Sequence, residues 1–179
     1  AVTKSIVDFA HAVGIPVEAE VGVIPRYREG LSEEDVRALQ TTPEEARRMA
    51  SESGCDSLAV AVGNVHSDPT GSSRIDFALL SALREAAGIP LVSHGSTGTT
   101  EDQLRRMIEC GVAKVNVATR LNMDFIDAPA LAYLEAMREF WLGEGGRVTD
   151  FSPLVGRGVA AVKERTKHYM RMFGCSGKA

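Results

Sequence analysis

The sequence predicts an α/β protein of parallel βα units and, more narrowly, roughly the C-terminal half of a (β/α)8 TIM barrel, strands 5–8 plus C-terminal helices. Three observations lead there. Apolar runs of strand length alternate with amphipathic helical stretches through four strands, the rhythm of parallel βα units. Each strand candidate ends, on its C-terminal side, in residues suited to chemistry: 20–22 (EVG), 63–66 (GNVH), 93–98 (SHGSTG) and 116–119 (NVAT). A barrel builds its active site at that face from several strands, whereas a doubly wound sheet gathers ligands at one switch point. A closed barrel needs eight strands and typically about 250 residues, so four strands in 179 residues supply about half of one.

The elements follow in order. Over residues 3–13, Ile6, Phe9, Ala10 and Val13 fall at helical spacing, and Gly14 stands where a left-handed cap would end the helix. Residues 17–22 (VEAEVG) form the first strand, followed by a polar loop. Thr42, Pro43 and Glu45 supply an N-cap, an N1 proline and the N3 acid of a capping box, so a helix starts there. Residues 57–63 (SLAVAVG) are a continuous apolar run, the pattern of a strand covered on both faces. Asp76 caps the next helix, which carries Phe77, Leu80 and Leu83, and Gly88 and Pro90 mark its exit. The third strand is 91–93 and the fourth 113–117, separated by a helix that Thr100 and Gln103 open as a capping box and Gly111 closes. Two or three helices are expected around 129–142 and 153–173, with Pro129 and Pro153 each where a helix begins and a glycine-rich hinge at 143–146.

Composition sets outer bounds. The length suggests a single domain over 1–179. Twenty Lys+Arg against 24 Asp+Glu give a net charge of −4, which argues against a surface for nucleic-acid phosphates or anionic lipid. The longest apolar runs are too short to span a bilayer. Cys55, Cys110 and Cys175 are odd in number and lack CxxC spacing, as expected of reduced thiols in a cytoplasmic protein. The first residues show neither an initiator Met nor the apolar core of a signal peptide, so the chain is expected to open mid-protein.

Four histidines are present. His11 and His168 lie inside helices and read as ordinary helical residues, but His66 and His94 close successive strands. Neighbouring strands lie about 4.8 Å apart, so the two imidazoles can converge. Such a pair serves as ligands for a divalent metal, zinc first, or as a general base, or simply as satisfied loop histidines. A catalytic zinc usually has three protein ligands, so one is missing here. The turn 94–98 (HGSTG) runs into a capped helix, and its small residues leave N–H groups free to seat an anion beside Asn116 and Thr119. The same residues also serve as plain turn and cap residues.

Together VEAEVG, DSLAVAVGNVH, IPLVSHGSTG and GVAKVNVAT, in this order, resemble the C-terminal half of class II, zinc-dependent ketose-bisphosphate aldolases. The tail 173–179 (FGCSGKA) resembles the tagatose-bisphosphate branch. The resemblance implies reversible cleavage of a ketose 1,6-bisphosphate, tagatose or fructose, into dihydroxyacetone phosphate and an aldehyde phosphate. It makes His66 and His94 two of three Zn2+ ligands and Glu20 a carboxylate close to the metal. Glu20 and Asn116 are the catalytic candidates. Gly95, Ser96, Thr97, Asn116, Val117, Ala118 and Thr119 match loops that hold the sugar phosphate substrate, and Ser67 takes the place of a phosphate-contacting glycine. Zinc in such enzymes acts as a Lewis acid.

Departures from the family pattern are also visible. The third zinc histidine and the acid/base Asp belong to earlier strands, so the missing N-terminal half of the barrel is required. The loop after the first strand reads VIPRYREG (23–30), with Arg28 near the usual catalytic Glu and Glu29 one residue away. Ser67 and Ser96 replace glycines, and Ala118 replaces the Asp common in fructose-type members. The alternative reading is a non-catalytic half-barrel that binds phosphate or an aldolase subunit. An exposed strand edge and the helix residues Leu131, Leu134, Phe140 and Trp141 point to a homo-oligomer.

Overall fold

The computed structural model describes residues 2–178. They form two compact units that meet in sequence between Val117 and Ala118. In the first, the order is α1 (Val2–His11), β1 (Glu18–Val21), α2 (Glu33–Ala38), α3 (Pro43–Ser53), β2 (Ser57–Val60), α4 (Phe77–Ala87), β3 (Leu91–Ser93), a 3₁₀ turn (Ser96–Gly98), α5 (Glu101–Glu109) and β4 (Val112–Val115). All strand pairs are parallel, and the sheet order β1-β2-β3-β4 is the order in sequence. Sequential parallel strands joined by helices are the arrangement of half a (β/α)8 barrel.

The capping signals act where the sequence places them. Thr42 and Glu45 close a reciprocal capping box on α3, Asp76 accepts from Leu79 N at the head of α4, and Thr100 and Gln103 do the same for α5 as Thr42 for α3. Gly54 and Gly88 end their helices in the left-handed conformation. The polar loop after β1 holds one further helix, α2, whose Ser32 and Asp35 form a capping box of their own. The core lies between the sheet and its helices: Leu58, Val60, Leu80, Leu83, Leu91, Leu104 and Met107 are buried. The apolar stripe of α1 has a different fate. Val7 is buried, while Ile6, Phe9 and Val13 are exposed, Phe9 by 77%.

Register decides which side chains share a face. Glu20 pairs with Ala59, Ala59 with Val92, and Val92 with Lys114. Alternation then puts Glu18, His94 and Asn116 on this same face, opposite the helices. An irregularity between Leu91 and Val92 helps: Leu91 pairs with Val112 but Val92 with Lys114, so Ala113 is passed over and Lys114 is turned to the face of His94.

The second unit contains α6 (Thr119–Leu142) and α7 (Ser152–Met172). Pro153 sits in the first turn of α7, as expected, but Pro129 does not begin a helix. It lies inside α6, which starts ten residues earlier, at Thr119. Lacking an N–H, Pro129 leaves the Phe125 carbonyl without its usual donor. There α7 comes close: a side-chain carbon on Gly158 would stand 2.7 Å from Phe125 O. Arg165 Nε donates to Asp124 Oδ2 at 2.6 Å across the pair.

Candidate metal centre and phosphate seat

Each histidine is fixed by backbone as well as by its ring. The loop after β1 makes an isolated parallel bridge between Arg26 and His66. His66 N donates to Pro25 O at 2.8 Å, and Tyr27 N donates to His66 O at 2.9 Å. Asn64, buried, accepts from Val62 N at 2.9 Å and donates to His94 O at 2.8 Å, so the end of β2 holds the end of β3. The His66 and His94 rings then lie 6.0 Å apart between centroids, at 76°.

Burial lowers the pKa of His66, helped by His94 and Arg26 and opposed by Glu20. A neutral imidazole keeps a lone pair, which is the ligating form. His94 Nε2 lies 2.9 Å from Glu18 Oε1, and Lys114 Nζ donates to Glu18 Oε2 at 2.6 Å. Asn116 Nδ2 lies 2.9 Å from His94 Nε2 and donates to Glu18 Oε1 at 3.3 Å. Burial raises the Glu18 pKa, but the hydrogen bonds and charges of Lys114 and His94 outweigh it, and the carboxyl is held below the ordinary glutamate range.

The residues singled out in the sequence are distributed as follows. His66, His94 and Asn116 meet at one end of the sheet. Glu20 is exposed on the shared face, and its charge acts on His66. Gly95 adopts φ +70°, and a side-chain carbon there would stand 2.9 Å from Val65 O, so only glycine fits. Ser96 and Thr97 are buried in the 3₁₀ turn, and Ser96 Oγ donates to Asn116 O at 3.0 Å, joining the two phosphate-loop candidates. Ser67 has φ +56°, the one non-glycine residue with positive φ among those described, consistent with a position that favours glycine. Val117 ends the first unit. Ala118 and Thr119 open the second, where Asn122 N donates to Ala118 O. Arg28 and Glu29 are exposed.

Glu18 and Lys114 were not singled out from the sequence, and Asn64 was noted only as part of the strand end 63–66. Strand alternation could have found Glu18, because it lies two residues from Glu20 and therefore on the same face. Among the described residues, no three His, Cys, Asp or Glu side chains come together as a metal cage. A catalytic zinc usually takes three protein ligands, of which the His66 and His94 imidazoles could supply two. A cavity of about 880 Å³ lies elsewhere, lined by Tyr27, Arg37, Asp68, Arg74 and Phe77 among others, and includes neither histidine.

Four sequential parallel strands with two imidazoles at their C-terminal ends define a segment of a (β/α)8 barrel. The chain belongs to the class II fructose-bisphosphate aldolase family, whose profile it matches over residues 1–178. The family is generally zinc-dependent. The chain is 35% identical over 178 residues to a fructose-bisphosphate aldolase of Geobacillus stearothermophilus, covering 99% of this chain and 58% of that protein. Among solved structures it resembles the YdjI aldolase of Escherichia coli K12, with TM-score 0.74 and 34% identity over 99% of this chain and 56% of the other. A fructose-1,6-bisphosphate aldolase described as putative, from Coccidioides immitis, gives TM-score 0.73 and 30% identity, covering 98% and 58%. The chain thus spans a little over half the length of these relatives.

Proposed function

We infer that this chain supplies one half of an aldolase active site, the half with two zinc ligands and the seat for dihydroxyacetone phosphate. The observation that carries the reading is the convergence of His66 and His94 beside the joined turns of Ser96 and Asn116. His66 and His94 would hold zinc, with Glu20 the nearby carboxylate on the same face. A bound zinc supplies Lewis-acid stabilisation of charge developing on a carbonyl oxygen. Backbone N–H groups of Ser67, Gly95, Ser96 and Thr97 receive phosphate. The Asn116 amide, fixed beside His94, orients the substrate through hydrogen bonding.

The third zinc ligand and the acid/base Asp come, in this reading, from further barrel strands, supplied by a longer form of the chain or by a partner. The substrate is a ketose 1,6-bisphosphate, tagatose or fructose. The test is cleavage of both bisphosphates by the protein as its source makes it. The expected result is zinc-dependent release of dihydroxyacetone phosphate that is lost in His94→Ala. Phosphate binding without cleavage in the zinc-loaded protein favours a non-catalytic half-barrel instead.

A further inference from the structure

We propose that Asp68 is a positioning residue for the phosphate seat, folding the loop after β2 around its carboxylate and holding the 96–98 turn through Gly98. The inference rests on the phosphate seat of the reading above and deepens it. Residues 68–71 (DPTG) have turn chemistry: an Asp that binds nearby backbone, a proline with fixed φ, and Gly71 at φ +68°. Asp68 is fully buried, which a carboxylate tolerates only when its oxygens are satisfied. Oδ1 accepts from Thr70 N at 2.8 Å and from Thr70 Oγ1 at 2.6 Å. Oδ2 accepts from Ser72 N and Ser72 Oγ, both at 3.0 Å. Each oxygen thus gathers one backbone N–H and one hydroxyl, and the side chain sets the course of residues 67–73.

That loop is built onto the phosphate turn. Ser73 N donates to Gly98 O at 3.0 Å, and Gln103 Nε2, at the head of α5, donates to Ser73 O at 2.9 Å. A side-chain carbon on Gly98 would stand 2.7 Å from Asp68 Cβ and 2.8 Å from Asp68 Oδ2, so the turn lies directly on the carboxylate. On its other side the turn is held by Ser96 Oγ, which donates to Asn116 O at 3.0 Å. Asp68 therefore acts on phosphate through the backbone it places. Backbone N–H groups seat an anion only when they converge on its oxygens, so a shifted turn binds less tightly.

The test titrates inorganic phosphate into the full chain and follows the backbone amides of residues 95–97 by 15N NMR. Phosphate is expected to shift these amides in the wild type. No shift there overturns the phosphate seat itself, and the role of Asp68 with it. Asp68→Ala is expected to weaken phosphate about 10-fold, the equivalent of one net hydrogen bond. Wild-type affinity in Asp68→Ala, shown by circular dichroism to be folded, overturns the positioning role and leaves the seat standing. Asp56→Ala is the control: its carboxylate ties Val17 N and His11 at the opposite end of the sheet, and the variant is expected to keep wild-type phosphate affinity. An equal loss in Asp56→Ala makes the effect a general one and overturns the positioning role. If Asp68→Ala does not fold, the double variant Thr70→Val, Ser72→Ala decides, since both residues are exposed and only hydroxyl donors are removed. It is expected to weaken phosphate about 3-fold, and wild-type affinity there overturns the proposal.

Discussion

Asn64 decides where the backbone of His94 lies. Its amide spans Val62 N and His94 O in a buried setting, so Asn64→Ala strands Val62 N and leaves His94 O with the longer bond from Ser93 Oγ, at 3.4 Å. The expected loss is about 1–3 kcal/mol for the stranded N–H, read as a lower urea midpoint with unchanged slope. Gly95→Ala is expected to cost about 1–3 kcal/mol, because the added carbon meets the Val65 carbonyl and the backbone there is left-handed. Asp56 supplies a pH-dependent tie. It accepts from Val17 N at 2.7 Å and pairs with His11 at 2.8 Å, and these contacts hold its carboxyl below the ordinary aspartate range. A depressed native pKa stabilises above the unfolded value of about 3.9, and that stability is lost as pH falls through the native value. Thermal melts from pH 6 to 2 are therefore expected to fall less steeply below about pH 4 for Asp56→Asn than for the wild type. At this scale the sequence exposed the two histidines and the glycine turn, since they occur in motifs. It did not expose Glu18 or the tie that Asn64 makes, because their partners lie 76 and 30 residues away.

Helix starts were the most legible elements, because a cap acts within four residues and its signal is local. Thr42, Asp76 and Thr100 act as read. The same logic applied to Ser32 and Asp35 would have found α2, but a polar stretch without apolar periodicity hides a six-residue helix. Pro129 misled for a tertiary reason. A proline at a helix start and one inside a long helix look alike in sequence, and here the close approach of Gly158 to the freed Phe125 carbonyl accompanies the interior position. Gly158→Ala is accordingly expected to destabilise the α6–α7 pair by about 1–3 kcal/mol, since backbone cannot give way cheaply. Chemical denaturation followed through Trp141 fluorescence reads this directly, and wild-type stability in the variant would contradict the close approach.

For the whole molecule, strand order and parallel sense were legible because βα alternation permits little else. The fate of the α1 stripe was not, because amphipathicity marks an apolar face without naming its partner. Ile6, Phe9 and Val13 remain exposed, and neither β1 nor β4 pairs on its outer side among the described residues. Open strand edges beside apolar helix faces promote association. The chain of 179 residues is thus expected to self-associate in light scattering, and a stable monomer at high concentration would contradict this. The central claim, that His66 and His94 are two ligands of one zinc site, has a more direct test in the metal content of the protein isolated from its source. The account predicts about one zinc per chain, removed by either His66→Ala or His94→Ala. A wild-type protein without zinc, or zinc retained in both variants, would contradict it.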